Sequence, residues 1–214
     1  MCKLVAVHLY GGATTTLPVA GGTVTLAETS NYPWSGDVSI TLDPQGTGAF
    51  TLSLRIPGWA KGASARINGT QVPMTTERGY LKLTRTWAKG DKVELSLPMP
   101  AERTYAHPDV RQDQGRVALR RGPLVYCTEQ QDVADPVGRL RLPPDAALSS
   151  TWKGDLLGGI TVLTAGAKAA DVASWGDALY RGTPAAETAS PLTAVPYYIW
   201  CNRGPNPMRV WLQE

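Results

Sequence analysis

The stretch from Phe50 to Pro98, FTLSLRIPGWAKGASARINGTQVPMTTERGYLKLTRTWAKGDKVELSLP, decides the fold. It opens with Phe50, Leu52, Leu54 and Ile56 alternating with Thr51, Ser53 and Arg55. Side chains alternate sides along a strand, so this pattern makes one buried and one wet face. At about 3.3 Å per residue such a run extends roughly 23 Å, the length of a full sandwich strand. Pro57-Gly58 ends it, and Ala63, Ala65 and Ile67 restart the alternation. Asn68-Gly69 then supplies a hairpin, because both residue types tolerate the positive φ of a type I′ turn. Tyr80 to Leu83 follows, then a turn at Gly90-Asp91, then Val93, Leu95 and Leu97 pointing inward, with Pro98 closing the run. Short strands punctuated by Gly and Pro make an antiparallel β-sandwich.

Working outward toward the N-terminus, Val38, Ile40 and Leu42 alternate cleanly after the Asn31–Asp37 turn (NYPWSGD). Val24 and Leu26 mark a shorter strand behind a Gly21-Gly22 hairpin turn, and Gly11 to Thr16 reads as a loop. Leu4 to Tyr10 is already strand-like, with Val5, Val7 and Leu9 on one side. Six or seven strands therefore precede Pro98. An abrupt start inside a strand, with no signal peptide, points to a polypeptide that begins earlier. The apolar run there is too short to span a membrane.

Toward the C-terminus, Pro98 to Gln114 loses the alternation and collects Pro and charge, which sets a boundary near residue 103. The expected domains are a first sandwich over 1–103 and a second over 104–214. In the second, Val117 and Leu119 start a strand that breaks at Gly122-Pro123 and resumes through Tyr126. Leu140 with Leu142, and Ile160 with Val162, mark two more, and Asp145 is placed to cap one helical turn. Residues 165–191 turn to Ala, Gly, Thr and Ser with little periodicity, the signature of a long irregular excursion. Val195 to Cys201 and Met208 to Leu212, joined by an Asn202–Pro207 turn, read as a closing antiparallel pair. The fold class is all-β, two antiparallel β-sandwich domains in series.

The chain has 214 residues, 43% of them hydrophobic, and a formal net charge of +3, enough to fill two cores. Its Lys and Arg residues are dispersed, with no run longer than Arg120-Arg121, which argues against a nucleic-acid partner. Cys2, Cys127 and Cys201 lie far apart and form no C-x-x-C pair. Neither His8 nor His107 has a metal-ligand neighbour at helical spacing. Free buried thiols are the simplest reading, although a Cys127–Cys201 disulfide stays open. An odd cysteine count leans toward a reducing compartment such as the cytoplasm.

Hydrolysis of a glycosidic bond needs two carboxyl groups about 5–5.5 Å or roughly 6.5–9.5 Å apart. Glu77, Asp91, Glu94, Asp109, Asp113, Glu129 and Asp132 are the candidates, and most sit in polar turns where solvated carboxylates belong. Glu129 and Asp132 stand out because they follow a strand directly. His8 and His107 lack a nucleophile motif nearby, and no glycine-rich phosphate loop precedes a helix. Trp34, Trp152 and Trp175 lie in segments read as loops, where an indole could stack on a sugar. Cores and domain seams compete for such rings, since burying one removes about 150–250 Å² from water.

Leu54-Arg55-Ile56-Pro57-Gly58-Trp59, Ile67-Asn68-Gly69, Gly79-Tyr80-Leu81 and Arg85-Thr86-Trp87 carry a resemblance. So do Tyr32-Pro33-Trp34, Arg121-Gly122-Pro123-Leu124-Val125-Tyr126, Tyr197-Tyr198-Ile199-Trp200 and Met208-Arg209-Val210-Trp211. In this order they resemble the post-catalytic region of glycoside hydrolase family 127, the β-L-arabinofuranosidases. The resemblance implies an N-terminal (α/α)6 barrel, in which a cysteine nucleophile works beside zinc held by cysteines and a glutamate. It implies two following sandwiches without catalytic, substrate-binding or metal residues. Cys2 does not match the paired-cysteine motif of the barrel, and Cys127 and Cys201 fall in the sandwich portion. No site residue and no cofactor is therefore carried over to this chain, zinc being expected only in the barrel. The expected partner is that barrel in the same polypeptide, with a homodimer or a free-standing carbohydrate-binding module as alternatives.

Overall fold

The computed structural model describes residues 3–46 and 48–214; Cys2 lies outside the described residues. Strands organise it throughout, and the only helical segments among the described residues are 3-10 turns at Arg111–Asp113, Gln130–Asp132, Val137–Arg139 and Tyr197–Ile199. Among the described residues no helix is long and apolar enough to cross a membrane. The chain divides into two compact units, residues 1–99 and 100–214.

The first unit holds β1 (Leu4–Val7), β2 (Ala13–Val19), β3 (Gly22–Ser30), β4 (Asp37–Gly46) and β5 (Phe50–Arg55). It continues with β6 (Ser64–Ile67), β7 (Thr70–Val72), β8 (Thr76–Glu77), β9 (Tyr80–Arg85) and β10 (Asp91–Ser96). One sheet runs β1-β5-β9-β8 and the other β2-β3-β4-β10-β6-β7. Their inner faces meet as the alternation demands: Phe50, Leu52 and Leu54 from β5, Val38, Ile40 and Leu42 from β4, and Val93 and Leu95 from β10 are all buried in one core. Trp87 closes it, its indole N–H donating to the Phe50 carbonyl at 3.2 Å. Asn68 and Gly69 both take positive φ, 51° and 79°, in the two-residue turn between β6 and β7.

Three features depart from the sequence reading. The Gly11–Thr16 loop is largely strand, because β2 pairs with β3 along its whole length; its threonines are exposed on both sides and leave no hydrophobic period to read. β1 pairs with β5 in parallel, not antiparallel, fashion, Leu4 opposite Thr51 through Val7 opposite Leu54. Among the described residues ten strands, not six or seven, are complete by Ser96.

The second unit holds β11 (Ala101–Thr104), β12 (Arg116–Arg121), β13 (Leu124–Glu129), β14 (Leu140–Arg141), β15 (Leu148–Lys153) and β16 (Ile160–Ala165). β17 (Lys168–Ala170), β18 (Glu187–Ala189), β19 (Leu192–Pro196), β20 (Met208–Arg209) and β21 (Trp211–Gln213) complete it. The strands follow the path β15-β16-β19-β13-β12-β21-β14-β17-β18, with β11 added to β12 and β20 to β13. They enclose a second core that includes Val117, Leu119, Tyr126, Leu140, Leu163 and Leu212. The stretch read as a linker thus contains β11, paired with β12 from Ala101 opposite Arg121 to Thr104 opposite Ala118.

The excursion expected over 165–191 is anchored at both ends, where β17 pairs with β18. Ala167 and Ala169 are buried there, and side chains this small pack without producing a visible hydrophobic period. The expected closing pair does not form: the first segment enters through β19, which lies between β13 and β16, while Met208–Leu212 is divided between β20 on β13 and β21 on β12. A 3-10 turn at Tyr197–Ile199 takes the chain away from β19 before it could form that hairpin. Around Asp145 the chain makes a single turn, closed by the Ala146 N–H on the Pro143 carbonyl at 3.0 Å, and not a helix.

Candidate functional site

Glu129 ends β13 on a buried inward position, and the 3-10 turn that follows brings Asp132 back beside it. Between them stands Arg203, contributed by the loop before β20. Its guanidinium donates to both Asp132 oxygens, at 2.8 Å on Oδ1, and to Glu129 Oε2. The Cys201 backbone N–H donates to Glu129 Oε1 at 3.0 Å, and Gln131 Nε2 donates to Oε2 at 2.9 Å. Burial alone raises a carboxyl's pKa; at Glu129 the hydrogen bonds from Cys201, Arg203 and Gln131 outweigh it and hold the group below the ordinary glutamate range. The hydrogen bonds that Arg203 donates to Asp132 come first and, against burial, push it further up.

Chemically this cluster is closed. Every carboxylate oxygen already accepts from a donor, and both acids share one permanent cation. A general acid needs a raised pKa and a nucleophile needs a free oxygen; Glu129 has neither. The arrangement pins the Cys201–Pro207 loop to the end of β13. Arg203 was invisible as a partner in the sequence, since nothing local marks a lone arginine inside a Gly-Pro turn as the mate of a glutamate 74 positions earlier.

The other carboxyl candidates are scattered. Glu77 pairs with Lys82 at 2.7 Å on an exposed hairpin. Asp91 is buried and accepts from the Ala88 N–H at 2.9 Å and from Asn68 Nδ2 at 2.8 Å, the former leading the downward shift of its pKa. Glu94 lies on the outward face of β10 against Lys92 at 2.7 Å. Asp109 and Asp113 flank a turn in which the Asp109 N–H donates to His107 Nδ1 at 3.2 Å and the Asp113 N–H to the Val110 carbonyl. His8 shares a 2.7 Å hydrogen bond with the Tyr80 hydroxyl.

Cys127 and Cys201 are both free thiols, buried and exposed respectively. Burial, reinforced by the negative charges of Glu129 and Asp132, pushes Cys127 up to about 12, so it is protonated at neutral pH. Among the described residues no group of three His, Cys, Asp or Glu side chains could hold a metal ion. Of the three tryptophans, Trp152 lies in β15 and not in a loop; it is 50% exposed, its ring lying so close over Gly159 that a Cβ there would come within 2.6 Å. Trp175 is half-buried, with the Arg181 guanidinium 5.0 Å from its ring centre. Trp34 is half-buried in the Asn31–Ser35 turn.

Comparison with known proteins gives the chain's relatives. The family model for the β-L-arabinofuranosidase GH127 middle domain matches residues 4–99, and that for the glycoside hydrolase family 127 C-terminal domain matches residues 101–213. A GH127 β-L-arabinofuranosidase from Geobacillus stearothermophilus T6 superposes with a TM-score of 0.97 at 44% identity, over 100% of this chain and 34% of that one. A second solved structure, a GH127 β-arabinofuranosidase, gives a TM-score of 0.88 at 33% identity over 99% of this chain and 35% of its own. Among curated proteins, the non-reducing end β-L-arabinofuranosidase of Bifidobacterium longum subsp. longum is 33% identical over 199 residues. That match takes in 88% of this chain but only 30% of the relative. Two family domains in the expected order, folded as in a solved relative, make this chain a member of glycoside hydrolase family 127 that comprises the family's middle and C-terminal domains.

Proposed function

We propose that the chain is the non-catalytic accessory region of a bacterial β-L-arabinofuranosidase-like glycoside hydrolase, and that it braces a helical catalytic barrel carried by the same polypeptide. The observation that supports this most strongly is the near-complete superposition on about a third of a β-L-arabinofuranosidase. The capped state of Glu129 and Asp132 supports it from within, since the best acid pair of the chain is spent on holding a loop. Large apolar side chains left open to solvent fit a bracing role: Leu9 is 73% exposed and Tyr180 91%.

Purified alone, the chain should not hydrolyse p-nitrophenyl arabinofuranosides. Turnover by the chain alone that disappears in Glu129→Gln would overturn the reading, because it would place catalysis in the sandwiches.

A further inference from the structure

A trough of about 690 Å³ crosses the outward face of the first unit's six-stranded sheet, well within the size range of small-molecule sites. Its floor is a lattice fixed by strand register. Asp37, Ser96 and Ser64 stand side by side on β4, β10 and β6, and Ser39, Glu94 and Arg66 form the next row on the same face. Neighbouring strands lie about 4.8 Å apart and same-face residues about 7 Å along a strand, so the lattice covers roughly 10 by 7 Å. That is the footprint of one or two sugar rings.

The end wall is the Asn31–Ser35 turn, in which the Trp34 and Ser35 N–H groups both donate to the Asn31 carbonyl. Gly36 lets this wall stand hard against β10: its carbonyl accepts the Leu97 N–H at 2.9 Å, and a Cβ there would come within 1.8 Å of the Leu97 oxygen. Ser39, Ser64, Glu94 and Ser96 are half-buried although they point away from the core, while Asp37 and Arg66 stand exposed at opposite corners of the lattice.

The polar groups are set in advance. Asp37 accepts from the Ser96 hydroxyl on Oδ1 at 3.1 Å and from the Ser35 hydroxyl on Oδ2 at 3.0 Å, which fixes its carboxylate over the floor. Glu94 is steadied by Lys92. Arg66, exposed and directly across from Glu94, adds five N–H donors. Fixed acceptors, a guanidinium donor and hydroxyls in nearly balanced charge suit a ligand that both donates and accepts at many points and carries no charge. A phosphate or uronate would meet two carboxylates and a cation would meet Arg66, while the aliphatic parts of the lining leave room for the C–H faces of a sugar.

We infer that this trough is a binding site for neutral oligosaccharide, with Asp37 and Glu94 accepting from sugar hydroxyls and Arg66 donating to hydroxyl or ring oxygens. It rests on the geometry of the first unit alone and is independent of the bracing role. The test is a titration of the isotope-labelled chain with neutral arabino- and xylo-oligosaccharides, followed by amide NMR, with oligogalacturonate as the charged comparison. Saturable shifts confined to residues 31–39, 64–66 and 94–96 are expected. Arg66→Ala and Glu94→Gln, each with an unchanged melting midpoint, should bind about tenfold more weakly, the loss of one charge-assisted hydrogen bond. Absence of saturable shifts at the solubility limit of the sugars, shifts centred elsewhere, equal binding by both variants, or preference for oligogalacturonate would each overturn the inference.

Discussion

Replacing Glu129 by Gln keeps its shape and removes its charge, leaving Arg203 to Asp132 alone and setting an amide NH2 where one acceptor oxygen stood. The side chain is 1% exposed and that of Arg203 20%, so water compensates little. We expect a loss of about 2–4 kcal/mol in urea unfolding, the range for breaking one side of a buried pair. Because the folded carboxyl titrates below the ordinary glutamate range, its contribution is complete above that range and fades as pH falls through the depressed value. Melting midpoints of the parent should therefore drop on acidification more steeply than those of Glu129→Gln; parallel slopes would show that the acid limb belongs to other groups. The neighbouring thiols give a second test at this scale. With Cys2→Ser removing the first cysteine, Ellman's reagent should label exposed Cys201 readily and reach buried Cys127 only on unfolding.

The β6–β7 hairpin shows what an element can encode locally. Asn68 serves its turn twice, by its own positive φ and by its side chain, whose Nδ2 donates to Asp91 at 2.8 Å while its Oδ1 accepts from the Lys92 N–H at 2.8 Å. Gly69→Ala should cost about 1–2 kcal/mol, the price of a Cβ in left-handed backbone, and Asn68→Ala with Asp91→Ala should show a non-additive coupling in a double-mutant cycle. Gly36→Ala should be worse still, at least about 2 kcal/mol by thermal melting, since the obstacle is backbone oxygen and not a movable side chain. This hairpin, β5, β4 and the β12–β13 turn at Gly122-Pro123 were legible because alternation and turn chemistry lie within a dozen residues. The parallel β1–β5 pair was not, since alternation says which face is buried and nothing about strand direction. Nor were β2, masked by threonine, and β17, masked by alanine. Within the candidate site, Glu129 and Asp132 stood out in the sequence, but their meaning changed once Arg203 arrived from a distant loop. The trough was illegible for the same reason, its six side chains coming from three strands that only the sheet register sets side by side.

Across the whole molecule, each unit owns a closed core, from Val5 to Leu97 in the first and from Val117 to Leu212 in the second. Residues 1–99 and 100–214 expressed separately should each give a β-type circular dichroism spectrum and a cooperative melt; a featureless spectrum from either would show that its core needs covering from outside. The parallel seam between β1 and β5 has a mechanical corollary. A tug on residue 3 along the strand axis loads the rungs from Leu4–Thr51 to Val7–Leu54 together, in shear, whereas an antiparallel edge strand drawn from its turn would peel one rung at a time. A pull applied ahead of Leu4 thus meets a clasp that resists being dragged away, and stretching the chain in an optical trap should show rupture of that clasp as one abrupt step.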